Sequence, residues 1–108
     1  MRKVTFKAVE AFLAGRAFKS GNMVVSRGGF DGFTISMYLH GNLIAERNTH
    51  TVRIHDAGWR TTTTKERLNG LLDMLNLGRI YQQDFTWFIG NGEAWEGTRD
   101  FPLHVHTA

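Results

Sequence analysis

The chain has 108 residues, 42% of them hydrophobic, with three Trp and eight Phe, so its apolar content suits one compact core and residues 1–108 read as a single domain. Thirteen Lys and Arg against ten Asp and Glu give a formal charge of +3 and a pI near 9.7, which excludes an acidic DNA mimic and makes nucleic acid a partner to weigh. The absence of cysteine removes disulfide frameworks, Cys-ligated zinc and thiol nucleophiles.

The amino-terminal residues carry basic side chains but no apolar run of signal-peptide length, and no stretch approaches the ~18 apolar residues of a membrane span. A cytoplasmic protein without membrane association is therefore expected. Thr5 is a workable N-cap for a first helix that places Phe6, Val9, Phe12 and Leu13 on one stripe before Gly15. Residues 19–22 read as a loop into a short strand at 23–26, and Arg27, Gly28 and Gly29 read as a turn or bulge.

From 33 to 40 the alternation is strict: Phe33, Ile35, Met37 and Leu39 on one face, Thr34, Ser36, Tyr38 and His40 on the other, the pattern of a half-buried strand. Gly41 and Asn42 both tolerate positive φ and are expected at the centre of a hairpin turn, with 43–47 pairing back. A further strand is expected at 51–55, Val52 and Ile54 inward, Arg53 and His55 outward, closing at Asp56-Ala57-Gly58.

Thr63 as N-cap and Glu66 three residues on make a capping box before Leu68, Leu71, Leu72 and Leu75, so a second helix is expected over 64–77, stopped by Gly78. Residues 79–89 read as one long aromatic strand that turns at Gly90-Asn91-Gly92 into 93–96, and a last strand is expected at 103–105. The order α-β-β-β-β-α-β-β with tight turns implies an α+β fold, an antiparallel sheet of five to six strands with two helices packed on one face.

His104 and His106 would share a strand face about 7 Å apart, a separation two metal ligands can use, but no third ligand has a committed spacing and a solvated tail explains the pair. No nucleophile elbow surrounds any Ser, no phosphate loop is formed by the glycines, and Asp56, Asp84 and Asp100 have no motif that pairs them. No catalytic residue, metal or cofactor is expected.

Among the aromatics, Tyr81, Phe85 and Trp87 share a face of an alternating strand and read as core, whereas Phe88 and Trp95 are expected as exposed interface anchors. Arg60, Lys65 and Arg67 flank the threonine run at a helix N-terminus, where an anion would be favoured; the plainer reading has the threonines capping and both helix cations solvated.

The segment Tyr38-Leu39-His40-Gly41-Asn42-Leu43-Ile44-Ala45, followed by Gly58-Trp59-Arg60-Thr61-Thr62-Thr63-Thr64-Lys65-Glu66-Arg67-Leu68-Asn69-Gly70-Leu71-Leu72, resembles a pattern recurring in small accessory proteins of phages and plasmids. The resemblance covers about half the chain and carries no assigned catalytic residue. It implies a genomic setting, and in size and compactness the chain is similar to anti-CRISPR proteins. The expected function is thus a non-enzymatic inhibitor that binds a host protein or ribonucleoprotein defence complex through Arg60, Lys65, Arg67, Phe88 and Trp95. The alternative is a nucleic-acid-binding accessory protein that uses Arg53, Arg60, Lys65 and Arg67 for phosphates.

Overall fold

The computed structural model describes residues 1–28 and 32–103. Its elements run α1 (Lys3–Ala14), β1 (Phe18–Ser20), β2 (Met23–Arg27), β3 (Ile35–Leu39), β4 (Asn42–Arg47), β5 (Thr51–His55), α2 (Thr62–Leu75), β6 (Ile80–Gln83), β7 (Thr86–Ile89), β8 (Glu93–Ala94) and β9 (Thr98–Pro102). Six strands form an antiparallel sheet in the order β1-β2-β3-β4-β5-β9, and β6-β7-β8 form a second, three-stranded sheet. The fold is α+β as expected, with the helices on one face of the large sheet.

Alternation decides which sheet face is covered. Met23 and Val25, Ile35, Met37 and Leu39, and Val52 and Ile54 are all buried, and their strand neighbours point the other way. In β4 the alternation breaks: Met37 pairs with Ala45 but Tyr38 with Leu43, so Ile44 is the extra residue of a bulge and both Ile44 and Ala45 are buried. Phe33 lies before β3 and is exposed, so the core stripe starts at Ile35.

The turn between β3 and β4 is centred one residue earlier than expected. His40 (φ 51°) and Gly41 (φ 79°) occupy it and Leu39 pairs with Asn42, because that choice keeps Leu39 inward. The segment expected as a loop begins with β1, which pairs with β2 across Gly21 and Asn22. The last strand is β9, which pairs along β5; of the strand expected at 103–105, residues 104 and 105 lie outside the described residues.

Both helix starts differ from expectation. In α1 the N-cap is Arg2, and Thr5 is buried within the helix beside Ala8, Val9 and Phe12, leaving Phe6 exposed. The stripe is rotated by one residue because Thr5 faces α2, where its hydroxyl donates to Glu66. The N-cap of α2 is Thr61, whose Oγ1 accepts from Thr64 N at 3.1 Å, and Glu66 reaches α1 instead of back to a cap. The helix ends at Asn76, itself left-handed at φ 57°, two residues before Gly78.

Arg47 closes the other end of α1: its Nε donates to Phe12 O at 2.9 Å and a terminal nitrogen to Leu13 O at 2.8 Å, a cation placed on the last carbonyls of the helix.

The expected single strand over 79–89 is a hairpin. Gln83 pairs with Thr86, and Asp84 (φ 51°) and Phe85 (φ 65°) fill a two-residue turn in which both central residues are left-handed. A bulky L-residue in that region costs about 1–2 kcal/mol, which is why Gly is usual there. The hairpin is secured to α2 by Asn69, a buried side chain whose Nδ2 donates to Ile80 O at 2.8 Å while its Oδ1 accepts from Ile80 N at 2.7 Å.

Candidate partner-binding site at the start of the second helix

The loop from β5 to α2 is held by one carboxylate. Asp56 Oδ1 accepts from Gly58 N at 2.8 Å; Oδ2 accepts from Trp95 Nε1 at 2.8 Å and from Arg60 Nε at 3.0 Å. Burial alone would raise the Asp56 pKa, but these bonds and the Arg60 charge hold it below the ordinary carboxylate value. Ala57 (φ 55°) and Gly58 (φ 80°) make the tight turn closed by Trp59 N donating to Asp56 O at 2.8 Å.

This turn aims Trp59 outward. Of the three tryptophans, Trp87 is 2% exposed and Trp95 5%, whereas Trp59 is 61% exposed. Its indole borders a cleft of about 370 Å³ with Leu39, Ile44 and Ala57 as apolar walls and His40, Asn42 and Thr63 among its polar lining. The first turn of α2 opens onto the same cleft, its cap made by Thr61, whose hydroxyl also lies 3.0 Å from that of Thr64. A cleft with an indole edge, an apolar floor and a few polar groups suits one or two side chains of a partner.

The residues expected to bind a partner do not gather there. Arg60 is engaged by Asp56, and Lys65 Nζ lies 5.8 Å from the centre of the Trp87 ring. Arg67 is a correction: it is 3% exposed and donates to Thr5 Oγ1 at 2.9 Å, to Glu66 and to Asn22 Oδ1 at 3.2 Å, so its guanidinium bridges α1, α2 and the β1–β2 turn. Position on the helix explains it, since Arg67 shares the inward arc with Thr64, Leu68 and Leu71.

Trp95 is likewise corrected from exposed anchor to interior, because its indole N–H finds Asp56 and its backbone N donates to Trp87 O at 3.0 Å. Phe88 is half-buried and stacks on Tyr81 with ring centres 5.6 Å apart. Phe85, expected in the core with Trp87, is 96% exposed at the hairpin tip, because the turn at Asp84 and Phe85 breaks the strand whose alternation had placed it inward.

Arg53 lies on the sheet face opposite the helices, paired with Asp100 through two hydrogen bonds, and so is separated by the sheet from Arg60 and Lys65. The four cations of the phosphate-binding alternative are therefore dispersed: Arg53 is paired with the surface carboxylate of Asp100, Arg60 with the buried carboxylate of Asp56, and Arg67 lies in the interior. Among the described residues no group of three His, Asp or Glu could hold a metal ion; His104 and His106 lie outside them. No helix of the described residues is long and apolar enough to cross a membrane.

Sequence reasoning missed Trp59 as the exposed one of the three tryptophans. The available signal was its position between a turn and an N-cap, off the period of any strand or helix.

No curated protein and no solved structure matches the chain. The family model described as Kyanoviridae Gp96 protein matches residues 1–106, which supports the expectation of a phage accessory protein. Because that match spans nearly the whole sequence and the whole of both sheets and both helices, the chain belongs to the Kyanoviridae Gp96 protein family of phage proteins.

Proposed function

We propose that this phage protein is a non-enzymatic accessory factor that binds a host protein complex and inhibits it, a defence complex in the manner of anti-CRISPR proteins being the target. The observation that carries this reading is Trp59, a large aromatic side chain 61% exposed beside an apolar cleft, on a turn whose backbone is hydrogen-bonded to Asp56. Burying an indole on a partner is a common source of interface affinity, whereas leaving it in water costs apolar hydration with no return within the monomer.

The neutralisation of Arg53 by Asp100 and of Arg60 by Asp56 supports a protein partner over a phosphate backbone. The test is affinity purification from host lysate with the wild-type protein and Trp59→Ala, each with and without nuclease, followed by assay of any captured effector. A defence effector that is retained through nuclease, lost with Trp59→Ala and inhibited by the wild-type protein is the expected result. Partners released by nuclease, or effectors bound equally by Trp59→Ala, would overturn it.

A further inference from the structure

The hairpin tip at Asp84 and Phe85 is not explained by the fold. Phe85 is 96% exposed and contributes nothing to the core, yet its φ of 65° is a conformation that glycine adopts without strain and phenylalanine does not. Asp84, at φ 51°, is exposed as well and has no hydrogen-bond or ion-pair partner among the described residues. Backbone strain kept at two exposed side chains points to a contact outside the monomer.

The hairpin behind the tip is aromatic on its outer side. Cross-strand partners share a face, so Tyr81 and Phe88 lie together on that side and Ala94 extends it onto β8. Tyr81 is 37% exposed, with its ring stacked on Phe88. The inner side holds buried Ile80, Trp87 and Ile89, and it is there, at Trp87, that the Lys65 ammonium meets the hairpin. The charge on this part of the chain is opposite to that of the whole. From Ile80 to Gly97 there are three carboxylates, Asp84, Glu93 and Glu96, and no Lys or Arg, in a protein of net charge +3. Glu93 is engaged by Arg99, on which Glu96 also acts, so Asp84 is left uncompensated beside the exposed ring. A free carboxylate next to an aromatic face selects a cation, and a guanidinium best of all: it is planar and weakly hydrated, stacks on the ring and donates paired hydrogen bonds to the carboxylate.

We propose that the tip of the β6–β7 hairpin docks an arginine-bearing segment of a partner protein, a guanidinium stacking on Phe85 and donating to Asp84 while the segment's apolar stems lie along Tyr81 and Phe88. None of these residues lines the Trp59 cleft, so the surface is a separate one and does not rest on the reading given to that cleft.

The test is an NMR titration of the full chain at roughly 50 mM salt with hexa-arginine, hexa-lysine and hexa-glutamate, read at the backbone amides. Because the protein is net positive, hexa-arginine has no general attraction to it and its binding reports a local site. Hexa-arginine is expected to shift the amides of residues 81–88 with a Kd between about 10 μM and 1 mM, hexa-lysine to bind about twofold or more weakly, and hexa-glutamate to leave these amides unmoved. Phe85→Ser and Asp84→Asn should each raise the Kd for hexa-arginine about threefold or more. Phe85→Gly should lose as much affinity as Phe85→Ser while raising Tm by about 3–6 °C, since it relieves the turn. Amides at 81–88 that do not respond to hexa-arginine, a Kd unchanged by both Phe85→Ser and Asp84→Asn, or a lower Tm in Phe85→Gly, which would give the residue a role in the fold, would each overturn the proposal. So would shifts at the tip that grow with protein concentration in the absence of peptide, which would assign it to a second copy of the chain. All of these results leave lysate capture through Trp59 standing, so the two readings fail separately.

Discussion

The indole N–H of Trp95 donates to Asp56 Oδ2 at 2.8 Å, joining the end of the three-stranded sheet to the loop that starts α2. Both groups are buried, so each would be left unpaired by loss of the other. Trp95→Phe keeps most of the apolar area but removes the donor, and is expected to cost about 1–2 kcal/mol. Asp56→Ala frees the indole N–H, the Gly58 N–H and the Arg60 guanidinium together, and is expected to cost about 3–4 kcal/mol. Urea denaturation with unchanged m-values checks the order; equal effects would mean that Arg60 and Gly58 contribute nothing.

A pH dependence follows from the same carboxylate and from Glu66. Burial would raise the pKa of each. Asp56 is instead held low by Trp95, Gly58 and Arg60, and Glu66 by the Thr5 hydroxyl, Arg67 and the Arg2 N–H. With folded values depressed, the unfolded chain binds more protons, so this stability is present above the unfolded carboxylate values near ~4 and is lost as pH falls through the folded ones. Urea midpoints are expected to be flat from about pH 7 to 5 and to fall below about pH 4, with a shallower fall in Asp56→Asn and Glu66→Gln. Identical acid limbs in all three proteins would assign the loss to other carboxylates.

Asn69 holds the β6–β7 hairpin by imitating a strand: one side chain supplies both the donor and the acceptor that Ile80 needs. Asn69→Ala strands a buried N–H and a buried C=O of Ile80, with an expected cost of about 2–4 kcal/mol. Amide hydrogen exchange at Ile80 is expected to rise in the variant far more than at Val52 in the large sheet. Equal increases at both sites would mean that the hairpin is not an independently tethered unit.

Period and turn chemistry made much of this fold legible. The alternation through Ile35, Met37 and Leu39, the strand with Val52 and Ile54 inward, and the helix carrying Leu68, Leu71 and Leu72 all follow from local pattern. What local pattern could not reveal was long-range pairing. Thr5 reads as a cap until its hydroxyl is seen to meet Glu66, 61 residues away, and Arg67 reads as a surface cation until Thr5 and Asn22 are brought to it. The Asp84–Phe85 turn was hidden because neither residue is the Gly that announces such a turn. The candidate site was half visible: the threonine run and Arg60 were found, but Trp59 was overlooked because exposure depends on the turn at Ala57 and Gly58 and on no periodic signal.

The two helices meet at Gly70 with no room for a side chain. A Cβ built there would lie 2.4 Å from Thr5 Cγ2, inside contact distance of a fully buried side chain that is itself hydrogen-bonded and has no room to withdraw. Gly70→Ala gains about 1 kcal/mol of helix propensity but forces α1 and α2 apart, for an expected net loss of about 1–2 kcal/mol. Thr5→Ser removes only the methyl group and keeps the hydroxyl that donates to Glu66 and accepts from Arg67. In the Gly70→Ala, Thr5→Ser double variant the clash is gone and the propensity gain remains, so Gly70→Ala should turn from destabilising to neutral or stabilising in that background. Additive effects in the double-mutant cycle would show that something other than the Thr5 methyl group demands glycine at this crossing.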